Sequence, residues 1–190
     1  MALQAEIQGR ISGDDYFRLE ETAESRSEYI DGRVFAMARG TDSHIQFSFN
    51  VTRIISEKLR GKCRAYQSEM KVRVAEADTF YYPDVTVVCG DRQFYKGRRD
   101  VIENPILLVE VLSESTQEYD KNDKFFGYQE IDSVMEYLLI SQQKHAVQQY
   151  TRQPDGHWKI QASIGVESTV YLESVDLESP MREIYDLVEI

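Results

Sequence analysis

From Asp42 to Arg60 no Pro or Gly interrupts the chain, and Ile45, Phe49, Val51, Ile54, Ile55 and Leu59 recur at spacings that predict a helix with one broad apolar face. Gly61 closes it. Three runs rich in Val, Ile, Leu and Tyr follow, "CRAYQSEMKVRV" (63–74), "YYPDVTVVCG" (81–90) and "ILLVEVLS" (106–113), and each predicts a strand. The first alternates; the third is apolar almost throughout and belongs in the middle of a sheet. Ser115 and Glu118 form an S-x-x-E capping box for a helix reaching about Glu130, and "MEYLLIS" predicts a further strand. From residue 42 the order is therefore helix, three strands, helix, strand. A hairpin at Asp31-Gly32 precedes this core, and another turning at Pro154-Asp155-Gly156 follows it. A short helix opening at Ser12 and another between Ser179 and Val188 complete the prediction.

At 190 residues, 42% hydrophobic and 29% charged, the chain has the composition of one globular domain over 1–190, with its core at about 42–141. The class is mixed α/β. No apolar run approaches the roughly 20 residues of a membrane span, and "MALQAEIQGR" lacks the basic-then-apolar order of a secretory signal, which predicts a cytoplasmic protein. Cys63 and Cys89 form no C-x-x-C pair and are too few for a disulfide framework, so they read as reduced, buried, small apolar side chains. The net charge of −11 suits solubility and opposes nonspecific attraction to nucleic acid or an anionic membrane.

One residue breaks the apolar pattern. Glu110 stands inside "ILLVEVL", where a carboxylate must shift its pKa, find a cation or bind a metal. Asp84, at the mouth of the preceding strand after Pro83, converges on it if the two strands are neighbours. Two adjacent carboxylates repel, and a divalent cation relieves that repulsion; all-oxygen ligation favours Mg²⁺ or Mn²⁺. Taken singly, Pro-Asp is an ordinary turn signal and Glu110 a candidate for a structural ion pair. At about 100° per residue, Lys124, Phe125, Tyr128 and Ile131 of the following helix share one arc. A lysine in that stripe either snorkels to water or meets the carboxylates. Lys121 falls in the same arc, so the wheel leaves the choice of lysine open.

"YPDVTVV", "LLVEVLSEST", then Asp120, Lys124 and Tyr128, then "EYLLIS", together resemble the Uma-type restriction endonuclease family of the PD-(D/E)xK nuclease superfamily. "EYIDGRVFAMA" and "DSHIQFSFNVTRIISEKL" extend the resemblance over nearly the whole chain. It implies a restriction endonuclease-like αβββαβ core, a mixed central sheet flanked by helices, carrying the two hairpins as additions. It further implies that Asp84 and Glu110 are the catalytic acids, that the Val111 carbonyl is a third metal ligand, and that Glu28 and His44 line the site. For His44, a satisfied histidine at a helix start is the plainer account. The family motif departs at its lysine: Leu112 stands two residues after Glu110, and the resemblance moves that role to Lys124 rather than Lys121. Glu114 also replaces a proline usual in the family. The letters E-x-K at Glu69–Lys71 precede Pro83-Asp84 and so fall in the wrong order for the motif.

These residues predict an endonuclease that hydrolyses DNA with Mg²⁺ or Mn²⁺, using Asp84, Glu110 and Lys124. Two alternatives stay open: a catalytically silent binding module of the same fold, and a phosphodiesterase acting on another substrate. With 22 basic residues against 33 acidic ones, DNA contact falls to local patches, above all Arg92, Lys96, Arg98 and Arg99 in "DRQFYKGRRD". Superfamily likeness implies a homodimer.

Overall fold

The computed structural model describes residues 9–37, 40–113 and 116–190. Helix α1 (Gly13–Glu20) starts at Ser12, whose hydroxyl accepts a hydrogen bond from the Asp15 amide at 3.1 Å. Strands β1 (Ser27–Ile30) and β2 (Arg33–Ala36) form the expected hairpin, with Asp31 at φ 45° and Gly32 at φ 81°. Two consecutive left-handed residues match the twist of the flanking strands, which is why Asp-Gly sits there.

Helix α2 (Asp42–Lys58) is capped by the Thr41 hydroxyl, which accepts from the His44 amide. Its buried arc holds Phe47, Val51, Ile54 and Ile55, with Leu59 just beyond its end, while Ile45 and Phe49 are 62% and 51% exposed. The single broad face expected from the sequence is therefore corrected: at about 100° per residue, Ile45 and Phe49 stand across the helix from Val51.

The strand expected over 63–74 is two strands in two sheets, β3 (Cys63–Gln67) and β4 (Lys71–Val74). A turn divides them, because the Glu69 and Met70 amides both donate to the Gln67 carbonyl. There follow β5 (Thr79–Tyr81), β6 (Val85–Cys89), a 3₁₀ turn (Tyr95–Gly97), β7 (Val101–Ile102) and β8 (Leu107–Leu112). Then α3 (Gln117–Tyr119), a π-helical turn (Asp120–Lys124) and α4 (Phe125–Gln129) run on as one helix. The predicted capping box lies partly at Ser115, outside the described residues; the Ser113 hydroxyl accepts from the Thr116 amide. The chain ends with β9 (Glu136–Ser141), the hairpin β10 (Ala146–Arg152) and β11 (Trp158–Ile164), the hairpin β12 (Thr169–Leu172) and β13 (Leu177–Pro180), and α5 (Met181–Ile184).

Six strands form a mixed sheet in the order β11-β10-β9-β8-β6-β3, parallel only between β8 and β9. Five more form a second sheet, β2-β1-β5-β4-β7. Strand β8 is buried on both faces. Leu107, Val109 and Val111 join the core cluster of α2 and α5, and Leu108 joins the one with α4 and β4. By alternation Glu110 shares the side of Leu108, under the helix.

The cysteines correct another expectation. The β3–β6 register sets Cys63 opposite Cys89 with Cα atoms 4.0 Å apart, and they form a disulfide. Linear spacing carries no information about that pairing; antiparallel register does. No helix among the described residues is long and apolar enough to cross a membrane.

Candidate active site

Strands β6 and β8 pair antiparallel with Val85 opposite Val109, which brings Asp84, just before β6, to the stretch of β8 that holds Glu110 and Val111. Asp84 is anchored at both oxygens: Oδ2 accepts from the Val111 amide at 2.7 Å, and Oδ1 lies 2.7 Å from His44 Nε2. The first turn of α2 thus reaches the strand ends through His44, whose other ring nitrogen lies 3.5 Å from Gln142 Nε2.

Glu110 is 3% exposed, and its Oε1 accepts from Lys124 Nζ at 3.0 Å and from the Tyr128 hydroxyl at 2.8 Å. Lys124 Nζ also lies 3.0 Å from Glu28 Oε1 and 3.7 Å from Asp120 Oδ1. Glu28 is held in turn by the Tyr82 amide and the Tyr119 hydroxyl. The π-helical turn explains this convergence. It takes more residues per turn than an α-helix, so the four-residue spacing of Asp120, Lys124 and Tyr128 stays in line while a three-residue spacing rotates away. Lys121, level with Lys124 on an α-helical wheel, is half-buried and lies outside the site cavity. Close packing supports the helix: a Cβ on Gly127 would stand 2.9 Å from the Tyr81 ring.

Burial pushes the Glu110 carboxyl well above the usual carboxylate range, against the opposing pull of Lys124, and burial likewise raises Asp120. For Lys124 burial acts downward, but Glu110, Glu28 and Asp120 more than offset it and raise the ammonium above the usual lysine range. His44 is drawn down by burial and raised further by its bond to Asp84, for a net increase.

These groups line a cavity of about 410 Å³ that includes Glu28, His44, Asp84, Glu110, Val111, Asp120 and Lys124. The donor chemistry fits a hard divalent cation. Among the described residues both bonds to Glu110 fall on Oε1, leaving Oε2, and each Asp84 oxygen keeps a second lone pair. Among the described residues no group of three or more His, Cys, Asp or Glu side chains is arranged to hold a metal, so a cation here would have only the two carboxylates Asp84 and Glu110 as acidic side-chain ligands and would need backbone carbonyl or water oxygens besides.

The basic loop is placed differently. Arg98 lies 4.0 Å over the Phe17 ring and pairs with Asp100 at 3.3 Å and Glu21 at 3.8 Å. Lys96 pairs with Asp14, and Arg92 stacks on Phe94. Arg92, Lys96 and Arg99 line neither the site cavity nor the groove beside it; Arg98 lines the groove. Conversely, the Tyr119 hydroxyl and Gln142 belong to the site without having been expected there, and Tyr128, expected on the arc of Lys124, adds its hydroxyl to Glu110. The repeat of polar groups at 120, 124 and 128 was the available signal for the helix, and nothing local marks Gln142.

Residues 14–181 match the Uma2 family, described as "Putative restriction endonuclease". Two uncharacterized proteins of Synechocystis sp. are similar along most of their length. One is 30% identical over 161 residues, covering 84% of this chain and 91% of the relative, and the other 32% identical over 180 residues, covering 93% and 92%. The crystal structure of a "putative nuclease belonging to DUF820" from Anabaena variabilis shares the fold, with a TM-score of 0.77 at 17% identity over 94% of this chain and 99% of that one. With the family match running from α1 to the start of α5, the chain belongs to the Uma2 family.

Proposed function

We propose that the protein is a metal-dependent nuclease that hydrolyses DNA phosphodiester bonds in the cavity between β6, β8 and the helix over 117–129. The observation that carries this reading is the Lys124 ammonium, buried 3.0 Å from Glu110 Oε1, while Asp84 is bonded to the Val111 amide one residue on. A purely structural ion pair has no need of a second strand's carboxylate or an open cavity. Asp84, Glu110 and the Val111 carbonyl would hold Mg²⁺ or Mn²⁺, which supplies Lewis acidity toward the phosphate and a water of lowered pKa. Held by Glu110, Glu28 and Asp120, the Lys124 ammonium would donate to a non-bridging phosphate oxygen and offset developing charge. Glu28 and Asp120 fix the ammonium, Tyr128 fixes Glu110, and the Val111 amide with His44 fixes Asp84. Attack of water on phosphorus in line with the P–O3′ bond would break that bond, release the 3′ oxygen as a hydroxyl on taking up a proton, and leave 5′-phosphate and 3′-hydroxyl ends.

Cleavage of labelled DNA with Mg²⁺, Mn²⁺ or chelator, for the wild type and Asp84→Asn, tests the reading. Metal-dependent product that the variant fails to make supports it. A second reading, a silent module of the same fold, is favoured by the small side-chain donor set, and no product from either protein would select it, whereas equal products from both would remove Asp84 from the catalytic role.

A further inference from the structure

The six-stranded sheet ends on two edges of different character. At one, β3 has five residues and an exposed arginine, Arg64. At the other, β11 has seven residues, of which Lys159 alone is charged, and that side chain is turned toward β12 and paired with Glu173 at 2.8 Å. Short strands and charged residues are how sheet edges avoid pairing with another chain, and β11 uses neither. The hairpin decides which of its backbone groups are left over. The Gln153 amide donates to the His157 carbonyl and the Gly165 amide to the His145 carbonyl, so the odd-numbered residues between them bond to β10. The N–H and C=O groups of Trp158, Ile160, Ala162 and Ile164 point the other way, and among the described residues no backbone bond reaches them. Their side chains share one face of the sheet by alternation, with Ile160 56% and Ile164 69% exposed.

An edge of alternating donors and acceptors is complementary to a strand, and this one is complementary to itself. We infer that β11 pairs antiparallel with β11 of a second copy of the chain, about a two-fold axis at Gln161, joining the two six-stranded sheets into one. In that register Ile160 stands opposite Ala162 of the second copy and Trp158 opposite its Ile164, so the outward N–H and C=O groups of all four residues are satisfied and a large side chain lies beside a small one at the centre. Lys159 falls opposite Ser163 of the second copy, so no like charges meet. The surrounding charge agrees: the whole chain carries −11 and repels its own copies, but residues 146–164 hold two basic side chains, Arg152 and Lys159, against one acidic, Asp155. The described lining of the site cavity includes no residue of β10 or β11, so the pairing leaves the site open and does not depend on the nuclease reading.

Sedimentation velocity of the full chain over a dilution series tests the pairing. The wild type is expected to reach the mass of two chains as concentration rises. Ala162→Pro removes an outward N–H that no bond within the sheet uses, and should give single chains at every concentration with the circular dichroism of the wild type. Ile160→Lys, which sets two ammonium groups beside the axis, should do the same. The register has its own readout. Gln161→Cys meets its own counterpart across the axis at about 4.5 Å between Cα atoms and should crosslink two chains under mild oxidation, whereas Ser163→Cys, which faces Lys159, should not. A wild type of single-chain mass throughout the series would overturn the inference. So would a two-chain mass that survives both Ala162→Pro and Ile160→Lys, or crosslinking as efficient at 163 as at 161, because either would place the contact elsewhere.

Discussion

Two neighbouring strands each bury a carboxylate among aliphatic residues, and the two are treated differently. Glu136, at the start of β9, is 0% exposed and among the described residues meets only neutral donors: the Glu173 and Ser174 amides, the Ser174 hydroxyl at 2.6 Å and the Gln149 side-chain amide. Four donors satisfy four lone-pair sites, and the result is a clasp that pins the 3₁₀ turn before β13 to the sheet. Glu110, in β8, meets a cation and a phenol, with the Asp84 carboxylate nearby, at the wall of a cavity. Burial raises both carboxyls. What separates a structural carboxylate from a candidate catalytic one here is therefore its company: like charges gathered beside open space are unfavourable for folding alone.

The largest expected effect is at Glu110. Glu110→Gln should abolish Mn²⁺ binding by calorimetry and with it cleavage, while the metal-free protein melts no lower than the wild type because one of several crowded negative charges is gone. Retained Mn²⁺ binding would put the two carboxylates in the same structural class. Next comes Lys124→Met, expected to slow cleavage by about 10²-fold or more. Wild-type rates in that variant would reduce Lys124 to a charge balance for the core. Lys121→Met serves beside it as the substitution expected to leave the rate alone.

Glu136→Gln should do the reverse of Glu110→Gln. An amide nitrogen placed against the Ser174 amide leaves a donor unpaired, at a cost of about 1–3 kcal/mol in denaturant unfolding, with specific activity of the folded protein preserved. Its pH dependence sharpens the point. A carboxyl raised in the native state takes up its proton before the unfolded chain does, so stability rises as pH falls through the native pKa and the gain is complete below the ordinary 4.5. The Gln variant should lose that increment; an unchanged slope would mean that Glu136 titrates as it does in the unfolded chain. The smallest effect is at Gly127→Ala, where overpacking against Tyr81 should cost about 1–3 kcal/mol and reduce cleavage by shifting the helix that carries Lys124. Cleavage unaffected by that shift would show that the lysine tolerates displacement.

The basic loop teaches a related lesson. Arg98 is one of the four loop residues expected at DNA, with Arg92, Lys96 and Arg99, yet it is committed to Phe17, Asp100 and Glu21. A run of charges in one dimension does not tell whether acidic partners from α1 will fold against it.

Local chemistry determined a good deal by itself. The Asp31-Gly32 turn, the Ser12 cap and the break-free stretch after Thr41 are encoded within a few residues, because turn dihedrals and first-turn amides are satisfied by immediate neighbours. The oddity of Glu110 was equally plain, since a carboxylate in an apolar strand needs a partner wherever it folds. Which partner was another matter. The π turn that separates Lys124 from Lys121, the arrival of Glu28 from the second sheet, the division of 63–74 between two sheets and the Cys63–Cys89 disulfide all depend on register and packing between segments distant in the chain. Periodicity reports which face a residue takes on its own element; only the packed fold decides what stands across from it.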